Sequence, residues 1–556
     1  MYHFVYHIAR PFYYRQVTRF LAGASHARRT QHTALLDKLR RNANSDFGRE
    51  HGFSKMHTAD DFRRRMPITD YEYYRKYVER VKQGDVEAMF APGTKILMFA
   101  LTSGTTNKSK YIPVTREFFE EYRRSWYIWA AQNYNDHRQL LAMKTLKLGS
   151  NWRQFYTEAG IPCGNISGLA TELAPWFTRP AFAIPMPVTG IDDPAAKHYT
   201  ALRVTIATPR VGMIITANPS TLVAYARRSH AERELLIRDI HDGTLSHHVE
   251  VSDDIRQALK SSITQRNPQR ARELERIVER TGTLFPKDFW PQLSVLAVWM
   301  GGSVGIYLPQ LEEFYGQVAL RDHGLSASEG RMTIPIQDNT SEGILDYPYH
   351  YYEFIPEDEM NSHDPTVLEA HELEIGKNYF ILLTTSSGLY RYDIRDVVQC
   401  VDYHGQAPIL KFLNKGAHFS SFTGEKLSEF QVVSAVKQTF AELEMPVEHF
   451  TVAPVMNDNR PGYVLLVEPS SHRPSDREFV NCVEGNIKRL NIEYADKLDS
   501  GRLLPMTVQE VPTGTWDAFR RRRTSERGNL EEYKHPCLVN DLGFVDNLLK
   551  SELSQS

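Results

Sequence analysis

Three apolar runs, Lys95–Leu101, Val211–Ala217 and Leu293–Met300, each end at a glycine or a polar loop. Runs of this length bounded by turn residues predict buried strands. After Val211–Ala217 come Asn218-Pro219-Ser220 and then Thr221-Leu222-Val223-Ala224-Tyr225, a strand–turn–helix step. Strands alternating with helical patterns predict an α/β architecture. Ligands in such folds gather at the loops that leave the carboxyl ends of strands.

One such loop follows the first run: Thr102-Ser103-Gly104-Thr105-Thr106-Asn107-Lys108-Ser109-Lys110. Hydroxyls and backbone N–H groups there can donate to a polyphosphate. Gly104 allows close backbone approach, and Lys110 supplies positive charge. The composition alone is that of an ordinary loop, and no G-x-x-x-x-G-K-[ST] pattern occurs.

At 556 residues the chain is too long for one ordinary domain. Sixty-six basic against 68 acidic residues leave a net charge of −2, so no global field points to nucleic acid or an anionic membrane. The run Arg520-Arg521-Arg522-Arg523 is one short basic stretch and predicts a solvated face. Cys163, Cys400, Cys482 and Cys537 lie far apart without metal or C-x-x-C spacing, as expected of reduced thiols in a cytoplasmic protein. The aromatic N-terminus, Met1 to Leu21, is broken by Arg10, Arg15 and Arg19, which predicts a packed amphipathic helix rather than a leader or a membrane span.

The last part of the chain has a different rhythm. A helix is expected from Lys426, with Val433, Val436, Phe440 and Leu443 on one face. Strand-like runs His449–Met456 and Gly462–Glu468 flank a turn. Ser475 and Glu478 form a capping-box pattern before a helix from Asp476 to about Leu490, and a strand Leu504–Val511 follows. This α-β-β-α-β order predicts a small α+β domain, residues 426–556, joined through a polar stretch at 414–425 to a large domain, residues 1–413.

Three further motifs lie downstream of the loop. Leu325-Ser326-Ala327-Ser328-Glu329-Gly330 contains a glutamate able to bind a divalent cation. Tyr392-Asp393-Ile394-Arg395-Asp396 ends in a carboxylate whose two oxygens suit a vicinal diol. Phe412-Leu413-Asn414-Lys415 precedes Gly424-Glu425-Lys426. In order, these resemble the T-S-G-T-T-G-x-P-K, Y-G-x-[ST]-E-G, Y-R-[TV]-G-D and hinge signatures of the adenylate-forming superfamily. Asn107 and Ser109 depart from its phosphate loop, Leu325 from its tyrosine, Asp393 and Arg395 from its arginine and glycine, and Lys415 from its hinge arginine. With Asp61-Phe62 to Pro67-Ile68-Thr69-Asp70-Tyr71, Ala217-Asn218-Pro219-Ser220 and Glu532-Tyr533-Lys534-His535-Pro536, the chain resembles the auxin-responsive (Gretchen Hagen three) acyl-acid amido synthetases, from about residue 35 to residue 537.

The resemblance implies a large N-terminal adenylate-forming domain with mixed sheets flanked by helices, a small mobile C-terminal domain, and ATP and Mg2+ as cofactors. The substrates would be a small carboxylic acid and an amine or amino acid, with no nucleic acid, membrane or obligate protein partner. It assigns Thr102, Ser103, Gly104, Thr105, Thr106, Lys110, Gly302, Ser303, Ser328, Asp396 and Lys415 to ATP, Glu329 to magnesium and to catalysis, and Lys426 and Lys534 to catalysis. The helix after the loop implies an acyl pocket at Tyr122, Trp126 and Trp129, although core aromatics share this pattern. Two alternatives stand beside an amide synthetase: an adenylating enzyme with a thiol, ammonia or alcohol acceptor, and a ligand-binding relative without turnover.

Overall fold

The structure, a computed structural model, describes residues 2–102, 110–147, 151–174, 176–191, 193–301, 307–360, 362–415, 419–420, 425, 427–446, 449–457, 460–471, 473–499, 503–527 and 533–553. The chain is α/β and divides into two compact units. The larger comprises Met1–Met300, Leu311–Ile394 and Val398–Phe412; the smaller comprises Gly301–Gln310, Arg395–Val397 and Leu413–Ser556.

Two of the predicted strands are neighbours in a four-stranded parallel sheet of the larger unit. Its order is Lys144–Lys147, Val211–Ile215, Val295–Ala297, Ala319–Arg321. Met213, Ile214, Val295 and Leu296 are buried, as the unbroken apolar runs require. The helix expected after Val211–Ala217 spans Pro219–Ala231. Because all four strands are parallel, Lys147, Thr216, Val298 and Asp322 stand at one edge, the carboxyl ends.

The first apolar run is Ile96–Thr102, in a second sheet. It pairs antiparallel with Lys110–Thr115 and parallel with Pro162–Gly164. A seven-stranded sheet contains Tyr392–His404 between Ala407–Lys415 and Asn378–Thr384. The N-terminal helix spans Tyr2–Gly23, and Val17 and Phe20 bury its inner face. Among the described residues, no helix is long and apolar enough to cross a membrane.

In the smaller unit the antiparallel strands Phe450–Asn457 and Arg460–Val467 are joined by Thr507–Glu510, parallel to the second. Strand periodicity sorts the side chains. Val452, Leu465 and Val467 face a core with Val436, Phe440, Phe479 and Val483 of helices Glu429–Glu442 and Asp476–Leu490. Ala453, Val464 and Leu466 face Trp516, Phe519 and Phe544 on the other side. The first helix begins later than its periodicity suggested, at Glu429, because Ser428 caps it in a reciprocal box with Gln431. Ser475 caps the second helix through the Glu478 N–H at 3.4 Å.

Candidate functional site

Thr102 and Lys110 are register partners at the end of the hairpin ladder. Ser103, Gly104, Thr105 and Thr106 of the phosphate-loop expectation lie outside the described residues, as does the side chain of Thr102. Lys110 Nζ donates to the Tyr392 hydroxyl at 3.1 Å and lies 5.8 Å from the ring centroids of both Tyr71 and Tyr392. With Tyr392 the contact is the hydroxyl hydrogen bond, and the Tyr71 ring lies at the outer reach of a cation–π contact.

The early motif Pro67–Tyr71 builds this arrangement. Thr69 bridges Tyr392 in parallel: its N–H donates to the Arg391 carbonyl at 2.9 Å, and the Asp393 N–H donates to the Thr69 carbonyl at 2.8 Å. Asp70 then caps the helix Tyr71–Lys82, and the Tyr71 hydroxyl accepts the Tyr111 N–H at 2.8 Å. The segment therefore aligns Tyr71, Lys110 and Tyr392 from three distant parts of the sequence.

Glu329 is buried in the turn between Ser326–Ala327 and Gly330–Arg331, and Ser328 is half-buried beside it. Burial first, and the Glu329 charge second, raise the pKa of Tyr392. The carboxylate of the S-E-G motif thus acts electrostatically on the phenol that binds Lys110. Asp396 is buried in strand Tyr392–His404. The residue before it, Arg395, has φ +63°. Left-handed backbone is where glycine is favoured, and glycine is what the related motif carries there.

In the smaller unit, Lys534 is exposed between two anchored neighbours. The His535 ring is buried, 4.8 Å from Trp516 and 5.1 Å from His449. Burial pushes its pKa down to about 3, so it is neutral and has one donor. The Phe450 carbonyl, 3.0 Å from Nε2, can only accept. The proton therefore sits on Nε2, and the Tyr533 hydroxyl donates to Nδ1 at 3.1 Å. Lys426, Gly302 and Ser303 lie outside the described residues, and so does the side chain of Lys415, at the end of strand Ala407–Lys415.

The expected acyl-pocket aromatics share the helix Arg116–Asp136, which is capped by Thr115. Trp129 is buried and donates its indole N–H to the Asp322 carbonyl at 2.7 Å. Trp126 meets Tyr122 at 6.2 Å, Trp129 at 5.1 Å and His323 at 5.4 Å. The Arg331 guanidinium covers Trp126, 4.3 Å from its ring. Arg331 Nη1, His323 Nε2 and Asp346 Oδ1 are buried with no hydrogen-bond partner among the described residues. Burial pushes Asp322 and Asp346 up to about 7 and His323 down to about 3.

Motif reasoning missed Tyr71 and Tyr392 as partners of Lys110, and Arg331 over Trp126. The position of Arg331, two residues after Glu329, was the available signal. Among the described residues, no group of three or more His, Cys, Asp or Glu side chains forms a metal site by itself.

Models of three successive domains match the chain in order: the GH3 family N-terminal domain over residues 16–320, the central domain over 343–415 and the C-terminal domain over 430–543. A jasmonoyl–L-amino acid synthetase, GH3.5 of Oryza sativa subsp. japonica, is 24% identical over 568 residues, spanning 95% of this chain and 95% of its own. An indole-3-acetic acid-amido synthetase, GH3.3 of Arabidopsis thaliana, is 22% identical over 540 residues, spanning 92% of this chain and 89% of its own. The solved structure of AtGH3.15 acyl acid amido synthetase in complex with 2,4-DB has the same fold, with a TM-score of 0.84 at 20% identity, covering 96% of this chain and 95% of that one.

Proposed function

The chain belongs to the GH3 family, and from that premise we propose that it is an ATP-dependent acyl-acid amido synthetase. It activates a small carboxylic acid as the acyl-adenylate and transfers the acyl group to an amine, in our reading an amino acid. Relatives named as amido synthetases along nearly their whole length support this. The structural observation that carries it is the hydrogen bond of Lys110 to Tyr392, from two separate motifs, at the foot of the hydroxyl-rich loop, with the Glu329 charge of a third motif acting on Tyr392.

In the first step a carboxylate oxygen of the acid attacks the α-phosphorus of ATP, and the bond to the β-phosphate breaks. In the second the amine nitrogen attacks the acyl carbon, the bond to AMP breaks and the amine gives up a proton. The work of the protein in both steps is positioning and charge stabilisation. We assign Thr102, Ser103, Gly104, Thr105, Thr106 and Ser328 to the nucleotide, Asp396 to the ribose hydroxyls, and Lys110 to phosphate charge. Lys534, with its backbone held on either side, is assigned to the α-phosphate and the leaving pyrophosphate, with Lys415 and Lys426 in supporting roles. Residues 414–425 serve as the hinge between the ATP- and acyl-binding part, 1–413, and the lid, 426–556.

Magnesium fits this donor set. It commonly takes one or two carboxylates and completes its shell with phosphates and water, and Glu329 is a single buried carboxylate whose charge acts on Tyr392. Glu329 would hold the ion, which supplies neutralisation of the triphosphate charge. Tyr122, Trp126 and Trp129, with Arg331 over Trp126, are proposed to receive the acyl group.

The test is acid-dependent exchange of labelled pyrophosphate into ATP across a broad acid panel. The active acid is then offered amines, thiols and alcohols. Exchange followed by amide formation is expected. No exchange by folded protein would favour the ligand-binding alternative, and product with thiols alone would favour a CoA-ligase-like enzyme.

A further inference from the structure

The edge strand Lys144–Lys147 borders a cleft of about 440 Å3, within the roughly 300–1,000 Å3 of small-molecule sites. Lys144, Lys147, Arg179, Arg203 and Arg266 all line it, and no aspartate or glutamate is among its described lining residues. None of the five is ion-paired with a described carboxylate.

Two of the cations, Arg203 and Arg179, are held by uncharged acceptors. Arg203 is 1% exposed and donates from Nε to the Thr244 carbonyl at 2.9 Å and from Nη2 to the Ile263 carbonyl at 3.0 Å. Both acceptors are uncharged. The acid that Arg203 senses at longer range, Asp239, already accepts from Tyr199, Thr244 and Ser246. Arg179 donates to the Glu172 carbonyl at 3.2 Å. Lys147 closes the strand at its carboxyl end, burial lowers its pKa to about 8, and its charge also acts on His323. Hydroxyls of Thr208 and Ser262 add donors to the wall.

A concave space lined by five cationic residues, with no carboxylate among its described lining residues, focuses an attractive field for anions. An apolar ligand would desolvate them further, and a monoanion would compensate only one. We propose that this cleft is a binding site for a small anion carrying two or more negative charges, separate from the nucleotide loop. It does not depend on the reaction assigned above.

Citrate and inorganic phosphate are suitable probes, each titrated calorimetrically into the full chain at low ionic strength. One-to-one binding of at least one is expected. Citrate alone would mark a polycarboxylate ligand, and phosphate a phosphate-bearing one. Lys144→Ser with Arg266→Ser, two exposed positions, should weaken binding about tenfold, on the order of one charge-assisted hydrogen bond. Ser262→Trp should fill the cleft and abolish binding, while Lys110→Met should leave it unchanged. Absence of binding by either probe overturns the proposal. So does binding that survives both cleft variants, or that disappears with Lys110→Met.

Discussion

Arginines are buried both beside the seven-stranded sheet and against the helix Arg116–Asp136, but their surroundings differ. Arg391 gives Nε to Glu353 at 3.0 Å and Nη1 to the Met66 carbonyl at 2.7 Å, and Arg63 binds the other Glu353 oxygen at 3.0 Å. Next to them Glu369 resists the burial that would raise its pKa: the His32 hydrogen bond and the charges of His32, Arg63 and Arg28 hold it down to about 2. Arg331 is equally buried, but among the described residues it donates only to the His323 and Thr333 carbonyls, and Asp322 and Asp346 are pushed up to about 7. The first set is complete within the fold and ties helical segments to the sheet. The second is short of partners and stands against the aromatics proposed for the acyl pocket.

The largest effect should come from breaking the complete set. Arg391→Ala leaves Glu353 without one of its two arginines and should cost about 3–5 kcal/mol in urea unfolding. Close to Arg391 in sequence, Asp396 should matter in another currency. Asp396→Ala should remove most ATP binding, read by nucleotide titration. Lys534→Ala should spare binding and slow pyrophosphate exchange by about 100–1,000-fold. Unchanged activity in both would sink the site assignment.

Smaller consequences test the incomplete set. Arg331→Met keeps the stem over Trp126 and removes a buried charge without an ion pair, so stability should change by less than about 2 kcal/mol. A loss as large as that of Arg391→Ala would erase the contrast. The pH dependences should also oppose one another. Asp346, raised from 3.8 to about 7, favours the folded state fully below its ordinary pKa and loses that contribution as pH climbs through 7. Glu369, lowered from 4.5 to about 2, contributes above its ordinary pKa and loses it as pH falls towards 2. In thermal melts across pH, Asp346→Asn should flatten the fall between about 4 and 7, and Glu369→Gln the fall on the acid side. The smallest effect is expected from Arg395→Gly. Relief of left-handed backbone at φ +63° should stabilise the protein by up to about 1 kcal/mol, and destabilisation would show that the side chain outweighs the strain.

Local patterns in the sequence were dependable where local physics decides. The apolar runs became strands, and the helix Asp476–Leu490 has the ends its cap and periodicity suggested. The two strands on either side of the turn expected after Met456 pair antiparallel. Arg391 and Arg395 show the limit. They share a residue type and a positive φ, yet one is buried in an ion-pair network and the other is exposed. No local pattern separates them, because Glu353 and Met66 arrive from far along the chain. Tyr71 beside Lys110, and Arg331 over Trp126, were hidden for the same reason. The cationic cleft is assembled from five separated residues, none part of a motif.

The pairing of Thr102 with Lys110 has a consequence for how such a loop can vary. Residues 103–109 begin and end on opposed positions of one ladder, about 5 Å apart. The two ends of the connection, Thr102 and Lys110, are fixed by the sheet rather than carried on elements free to part. Adding or removing a residue between them would change the length of the connection while both strands keep their register, so this segment can vary without disturbing the core beneath.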